Sequence, residues 1–309
     1  MAYDPTRIKK IEFEGKYYKL SASHETHPSP QRVPVLFQAG LSKAGVSLAG
    51  ANAEGLFCGS MVPSSTAAYV KSIRAAAAAA GRDPKSVKAF AGLSTFIAPT
   101  LEEAQAMYDA AAKNVTPESG LALFSSYTNI DMSKYAMDEP FNFEGDPTQV
   151  SIHGYIKNFQ AGDGQTKVWT PRMLGSKMAL GSLFPTAIGT PSMVADFIQK
   201  WVEETDVDGF NLYCESKATL SLSRLYLVLT YSHPDCELPE TFENVVNLLI
   251  PELQRRGVYW LDYPVPGGTF RENLTVKPGH SRLPDDHPAA VYRREREQAR
   301  ELRDSQVAS

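Results

Sequence analysis

One pattern limits the fold of this chain more than any other. A short apolar run is followed by a longer stretch of helical periodicity, several times over. Val33–Ala39 (VPVLFQA) is stopped by Gly40, and Ser42 then opens the helical stretch SKAGVSLAGANA. Glu54–Cys58 (EGLFC) is a second run, and the Ala-rich Ser65–Ala80 after it ends at Gly81, the usual C-terminal glycine position. Val87–Ala98 (VKAFAGLSTFIA) is a third, after which Thr100 caps LEEAQAMYDAAAKN, with Glu102 and Glu103 in its first turn. Gly189-Thr190-Pro191 sets an N-cap and a first-turn proline for a helix with Met193, Val194, Phe197, Ile198 and Trp201 on one stripe. Gly209–Tyr213 is a fourth apolar run, and Thr241–Arg256, ended by Gly257, a last strong helix. Strands alternating with helices predict an α/β fold, a parallel sheet of about four strands (33–39, 54–58, 87–98, 209–213) with crossover helices. From about Val115 to Lys167 the periodicity dissolves into Pro, Gly, Asp, Ser and Tyr, which reads as a long binding segment, lid or disordered stretch.

Composition narrows the classes. With 309 residues, 43% of them hydrophobic, the chain has apolar material for a substantial core. Lys and Arg number 31 against 35 Asp and Glu, a net charge of −4 that offers no basic face to nucleic acid. Cys58, Cys214 and Cys236 are odd in number and without C-x-x-C spacing, which fits a reducing compartment rather than a disulfide framework or zinc site. The amino-terminal residues lack the apolar core of a secretory signal, and the most apolar run, LSLSRLYLVLTY (220–231), is short and interrupted by Arg224. A soluble cytoplasmic protein with no membrane partner is expected.

Few residues carry a chemical signal on their own. Gln38-Ala39-Gly40-Leu41-Ser42 lies at a strand-to-helix junction, where a glycine turn and a serine at the helix start suit a phosphate. Serine is also a commonplace N-cap, and from the residues alone that is the simpler reading of Ser42. Gly189-Thr190-Pro191 has the same two readings, again favouring simple helix initiation. His24, His27, His153, His233, His280 and His287 show no metal-ligand spacing, so surface or loop roles are expected for them. Ser125, Ser126 and Ser216 sit in no G-x-S-x-G context, and neither a P-loop, a G-x-G-x-x-G nor a calcium loop occurs. Tyr127, Tyr135, Phe141 and Phe143 either face a site or pin a surface loop.

Taken in order, six segments resemble one family: IEFEGKYYKL (11–20), PQRVPVLFQAGLSKAG (30–45), AAGRDPKSVKAFAGLS (79–94), SSYTNIDMSKYAMDEP (125–140), IGTPSMVADFIQKWVEETDVDGFNL (188–212) and LIPELQRRGVYWLDYPVPGGTFRENL (249–274). The series is similar to the nitrilotriacetate monooxygenase/dibenzothiophene-sulfone monooxygenase branch of the luciferase-like flavin-dependent monooxygenases, nearly collinearly from about residue 4 to 274. The resemblance implies a (β/α)₈ TIM barrel with its reactive face at the C-terminal strand ends. It implies reduced FMN (FMNH2) from a separate NAD(P)H:flavin reductase, O2 as co-substrate, and C–N or C–S cleavage or hydroxylation of a small organic molecule. On that resemblance Ser42 binds the FMN phosphate and Gly40 gives it close access to the backbone. The match is to the C-terminal half of the family's barrel, so residues 1–274 are expected to form a partial barrel domain without the N-terminal strands. It would carry insertions at about 115–167 and 214–239, with 275–309 a charged disordered or helical tail. The open sheet edges of such a half-barrel invite homo-oligomers. The alternative is a truncated non-catalytic relative, at most a weak flavin-phosphate binder or oligomerising module.

Overall fold

A computed structural model describes residues 4, 8, 10–24, 33–40, 42–141, 159, 168–180, 184–213, 221–222, 226–230 and 240–307. Two compact units are present, Met1–Pro34 and Val35–Ser309.

The smaller unit holds an antiparallel hairpin of β1 (Lys10–Glu14) and β2 (Lys19–Ser23). Its alternating sequence sorts side chains by face. Ile11 opposes Ala22 and Phe13 opposes Leu20, while on the other face Ser21 donates to Glu12 over 2.9 Å and Lys19 pairs with Glu14.

The larger unit is built on one sheet. The expected strands are all present, as β3 (Phe37–Ala39), β4 (Gly55–Cys58), β5 (Lys88–Ile97) and β7 (Gly209–Tyr213). Three more join them: β6 (Thr186–Gly189), β8 (Ser221–Leu222) and β9 (Tyr226–Thr230). The order is β3-β4-β5-β7-β9-β8, parallel except where β8 runs against β9. The apolar run 220–231, expected as part of an insertion, thus contributes a strand in register with β7, Gly209 opposite Tyr226. β6 also pairs with β5. Lys88 donates to Glu54, Ser94 to Pro185 and Ala98 to Gly189. Residues an even number apart bond along the same strand edge, so β6 takes the edge of β5 beyond the end of β4. Gly59, at φ 142°, turns the chain off β5 there.

Helices α1 (Lys43–Asn52), α2 (Pro63–Ala79), α3 (Leu101–Lys113) and α6 (Pro191–Thr205) supply the crossovers. α7 (Glu240–Asn244) widens into a π turn, Val245–Leu249, before α8 (Ile250–Arg255). Pro251 has no N–H for the preceding turn, and the wider turn accommodates the missing bond. One face of the sheet (Leu56, Ala89, Ala91, Leu93, Phe210, Leu212) packs on Ile73, Ile198, Leu249 and Leu253 of these helices. The other face carries Phe57 and Phe90, which meet Phe37, and Phe37 stacks on Phe270 of α9 (Phe270–Thr275). A final helix, α10, spans Ala290–Val307.

The segment that reads as irregular from Val115 onward contains a helix, α4 (Pro117–Thr128), capped by Thr116 and ended by Asn129 at φ 60°. It packs on α5 (Pro171–Ala179) at a glycine crossing: a Cβ at Gly120 would lie 1.9 Å from the Gly175 carbonyl. Around the pair Leu121, Phe124, Phe159, Leu174 and Met178 form a second core, which reaches the sheet through Met61, just beyond β4. Tyr127, Tyr135 and Phe141 pack against that core, which makes them pins of the insertion. Phe143, Cys214, Cys236, Ser216, His27, His153 and His233 lie outside the described residues.

Candidate functional site

The C-terminal ends of parallel strands gather loops whose backbone groups are not committed to the ladder, the position that hosts ligands in α/β folds. β3 ends at Ala39, and Gly40 takes φ 148°, which L side chains avoid. Ser42 is the N-cap of α1, its Oγ accepting from Gly45 N over 3.0 Å while its carbonyl accepts from Val46 N over 2.8 Å. A Cβ at Gly45 would lie 2.7 Å from the Gly40 oxygen, so two glycines fold the turn tightly against the ten-residue helix. The first turn has no acidic residue, and Lys43 is exposed in it. Ser42 is exposed, so its hydroxyl keeps a proton to donate. The free N–H groups and the dipole of the helix start, together with the Ser42 hydroxyl, favour negative charge at this end of the helix. Gly40 and Ser42, two residues apart in sequence, are thus brought together in one turn.

Gly189-Thr190-Pro191 initiates a helix, as its simpler reading has it: Thr190 caps α6, accepting from Met193 N over 3.4 Å, with Pro191 in the first turn. The Ser126 hydroxyl is bonded to Leu123 O over 2.7 Å. His24 and His280 are exposed. His287 departs from the expected surface role. It is 3% exposed, and its Nδ1 accepts from Ala289 N, which leaves the proton on Nε2 for Asn52 O at 2.7 Å. Together with Arg82, which donates to Gly50 O and Ala53 O over 2.9 Å, it closes the C-terminal carbonyls of α1. Burial, with the charge of Asp208 adding, pushes the Cys58 thiol up to about 12, which keeps it un-ionised and unreactive.

The sheet face opposite the crossover helices carries further groups at the same C-terminal end. Phe184 and Tyr213 stack with centroids 4.6 Å apart and planes 20° apart. The Phe184 ring lies over Gly92, where an added Cβ would meet it at 2.4 Å. Ser94 is buried, and its Oγ has no hydrogen-bond partner among the described residues. Its ladder neighbours are Tyr213 on β7 and Thr186 on β6, and Lys177 of α5 reaches Thr186 Oγ1 over 3.3 Å. None of these stands out in the sequence, because the strands that carry them are far apart along the chain.

The N-terminal ends of the strands are built differently. Glu54 and Arg271, both buried, pair through two bonds of 2.6 and 2.9 Å, and Glu54 also accepts from Leu36 N. Asp208 accepts from Arg74 at 2.7 Å, Lys88 at 3.2 Å and Ala89 N at 2.9 Å, which ties β5 to β7.

Comparison with known proteins places this architecture. A family model for luciferase-like monooxygenases matches residues 5–209. The long-chain alkane monooxygenase of Geobacillus thermodenitrificans (strain NG80-2) is 34% identical over 94% of this chain and 55% of its own. The crystal structure of DmoA from Hyphomicrobium sulfonivorans superposes with a TM-score of 0.72 at 32% identity, over 91% of this chain and 54% of that one. Riboflavin lyase, solved with modified FMN and riboflavin, gives 0.70 at 31% identity, over 94% and 57%. Nitrilotriacetate and dibenzothiophene-sulfone monooxygenases are also among the relatives. The chain spans about half the length of the curated relatives it matches. Among the described residues no helix is long and apolar enough to cross a membrane.

Proposed function

The chain belongs to the luciferase-like monooxygenase family, and from that premise we propose that it works as a two-component, reduced-FMN-dependent monooxygenase. A separate NAD(P)H:flavin reductase would supply FMNH2, and one oxygen atom of O2 would enter a small organic substrate by C–N or C–S cleavage or hydroxylation. The observation that carries the reading is the Gly40–Gly45 turn at the start of α1. There Ser42 Oγ accepts from Gly45 N and keeps its own proton for a phosphate oxygen. Gly40 brings backbone close to the phosphate, and the α1 dipole and Lys43 offset its charge. Bound there, the flavin supplies the redox chemistry with O2 that no side chain of this chain provides. The second core includes Met61, just beyond the C-terminal end of β4.

Oligomers and a cytoplasmic location belong to the same reading. β3, β6 and β8 each have one strand partner among the described residues, which leaves edges for another chain.

Anaerobic titration of the protein with FMNH2 tests the proposal. The wild type is expected to bind, and Ser42→Ala to weaken binding about tenfold or more, the usual worth of a hydrogen bond to a charged group. No binding at millimolar flavin overturns the proposal for this chain. Equal binding by Ser42→Ala overturns the role of Ser42.

A further inference from the structure

Val276 occupies a backbone conformation that its side chain disfavours. It ends α9 at φ 55° and ψ 43°, in the left-handed region. The other non-glycine residues at positive φ among the described residues are Asn129 and Asp206, types that tolerate it, whereas a β-branched residue there is strained. Core packing does not offset that strain, because Val276 is 43% exposed. Its side chain instead lines a cavity of about 510 Å³, the size of a small-molecule site. The cavity lies between α6, the segment after α8 and the starts of β5 and β7, where Val202, Val207, Val258, Trp260 and Val276 give it apolar walls. Gln254 Nε2 donates to Trp260 O over 2.8 Å, which fixes the backbone that carries the indole. Three charged residues also line it. Lys88 and Asp208 bind each other over 3.2 Å, and Asp208 binds Arg74 over 2.7 Å, so their charges are committed. Glu203 is exposed and has no ion-pair partner among the described residues, while its neighbour Glu204 pairs with Lys200.

We propose that this cavity is a binding site for an apolar organic cation, an alkyl- or arylalkylammonium. The valine walls take up the apolar body, and burying it removes apolar surface of both partners from water. The Glu203 carboxylate, the uncommitted charge at the cavity, takes the ammonium, and the Trp260 indole adds a second attraction for positive charge. Val276 then has a reason to stand where asparagine or glycine would be less strained, since neither of those supplies apolar wall. The site is independent of the flavin reading: the Gly40–Gly45 turn lies at the C-terminal ends of the strands, and this cavity at the starts of β5 and β7.

The test titrates the protein, without flavin, with three probes of one shape: phenylbutylamine, protonated at neutral pH, neutral phenylbutanol and anionic phenylbutyrate, each followed by ligand-observed NMR. Phenylbutylamine is expected to bind about fivefold more tightly than phenylbutanol, the combined worth of a solvent-exposed ion pair and a cation–π contact, and phenylbutyrate most weakly. Glu203→Gln is expected to remove most of that preference at an unchanged urea midpoint, and Glu203→Lys to place phenylbutyrate ahead of phenylbutylamine. Val276→Asn is expected to weaken all three probes by about threefold, the worth of a partly buried valine, and to raise the urea midpoint as strain is relieved. No binding of phenylbutylamine at millimolar concentration, equal binding of the three probes, or a preference that survives Glu203→Gln overturns the proposal. Unchanged binding or a lowered midpoint in Val276→Asn overturns the assignment of Val276 to the ligand.

Discussion

The two ends of the sheet are made of different materials. At the N-terminal ends of the strands, charge is buried and consumed: Glu54 is taken by Arg271 and Leu36 N, and Asp208 by Arg74, Lys88 and Ala89 N. At the C-terminal ends, bonding capacity is left over: Gly40 and Gly59 hold positive φ, Ser42 is exposed, and Ser94 is buried without a partner among the described residues. One end is arranged for stability, and the other holds strained turns and uncommitted polar groups at some expense to it. Substitutions at the two ends are therefore expected to report on different properties.

The largest effect is expected at Glu54. Glu54→Ala leaves the Arg271 guanidinium buried without its carboxylate, and breaking such a pair costs about 3–5 kcal/mol, read as a lowered urea midpoint at unchanged slope. Asp208→Ala removes three bonds but leaves Arg74 and Lys88 nearer to water, so about 1.5–3 kcal/mol is expected. Ser42→Ala, at the other end, is expected to lose about 1 kcal/mol as a helix cap, and Ser42→Gly only a few tenths. If the hydroxyl binds phosphate, the two variants lose flavin affinity alike despite that difference in stability. A stability loss at Ser42 rivalling that at Glu54 would erase the contrast between the ends.

The smallest expected effect belongs to the helical layer and appears only in acid. Hydrogen bonds from Arg255 and Arg256 hold the Glu252 carboxyl down to about 2. A carboxyl depressed in the folded state stabilises the fold above its unfolded pKa, about 4.3 for glutamate, and loses that contribution as pH falls towards 2. Glu252→Gln is expected to flatten the acid limb of a thermal-stability profile between those limits and to leave its slope at neutral pH unchanged.

Local signals made the stable framework legible. Thr100, Thr190 and Ser42 declared their helices as caps, and the apolar runs at 54–58 and 87–98 declared strands, because each depends on residues close in sequence. α4 carried the same signature in Thr116-Pro117, with Leu121, Phe124 and Thr128 buried along one side, but a background of Ser, Gly and Tyr obscured it. β6 is four residues long with alternating burial, too short for a period to emerge. Arg271 finds Glu54 across 217 positions and Arg74 finds Asp208 across 134, and no local pattern encodes either partnership. The same holds for Ser94, whose neighbours Tyr213 and Thr186 are set by the sheet order. The turn that unites Gly40 and Ser42 is itself local, so its conformation is encoded by residues close in sequence.

Binding of a flavin phosphate by the Gly40–Gly45 turn, as proposed, is put to the test by comparing FMN with riboflavin, which lacks the phosphate. Fluorescence titration of the wild type is expected to show FMN bound at least about tenfold more tightly than riboflavin, with the difference collapsing in Ser42→Ala. Equal affinity for the two flavins in the wild type, or a phosphate preference that survives Ser42→Ala, would rule out phosphate binding by the Ser42 hydroxyl.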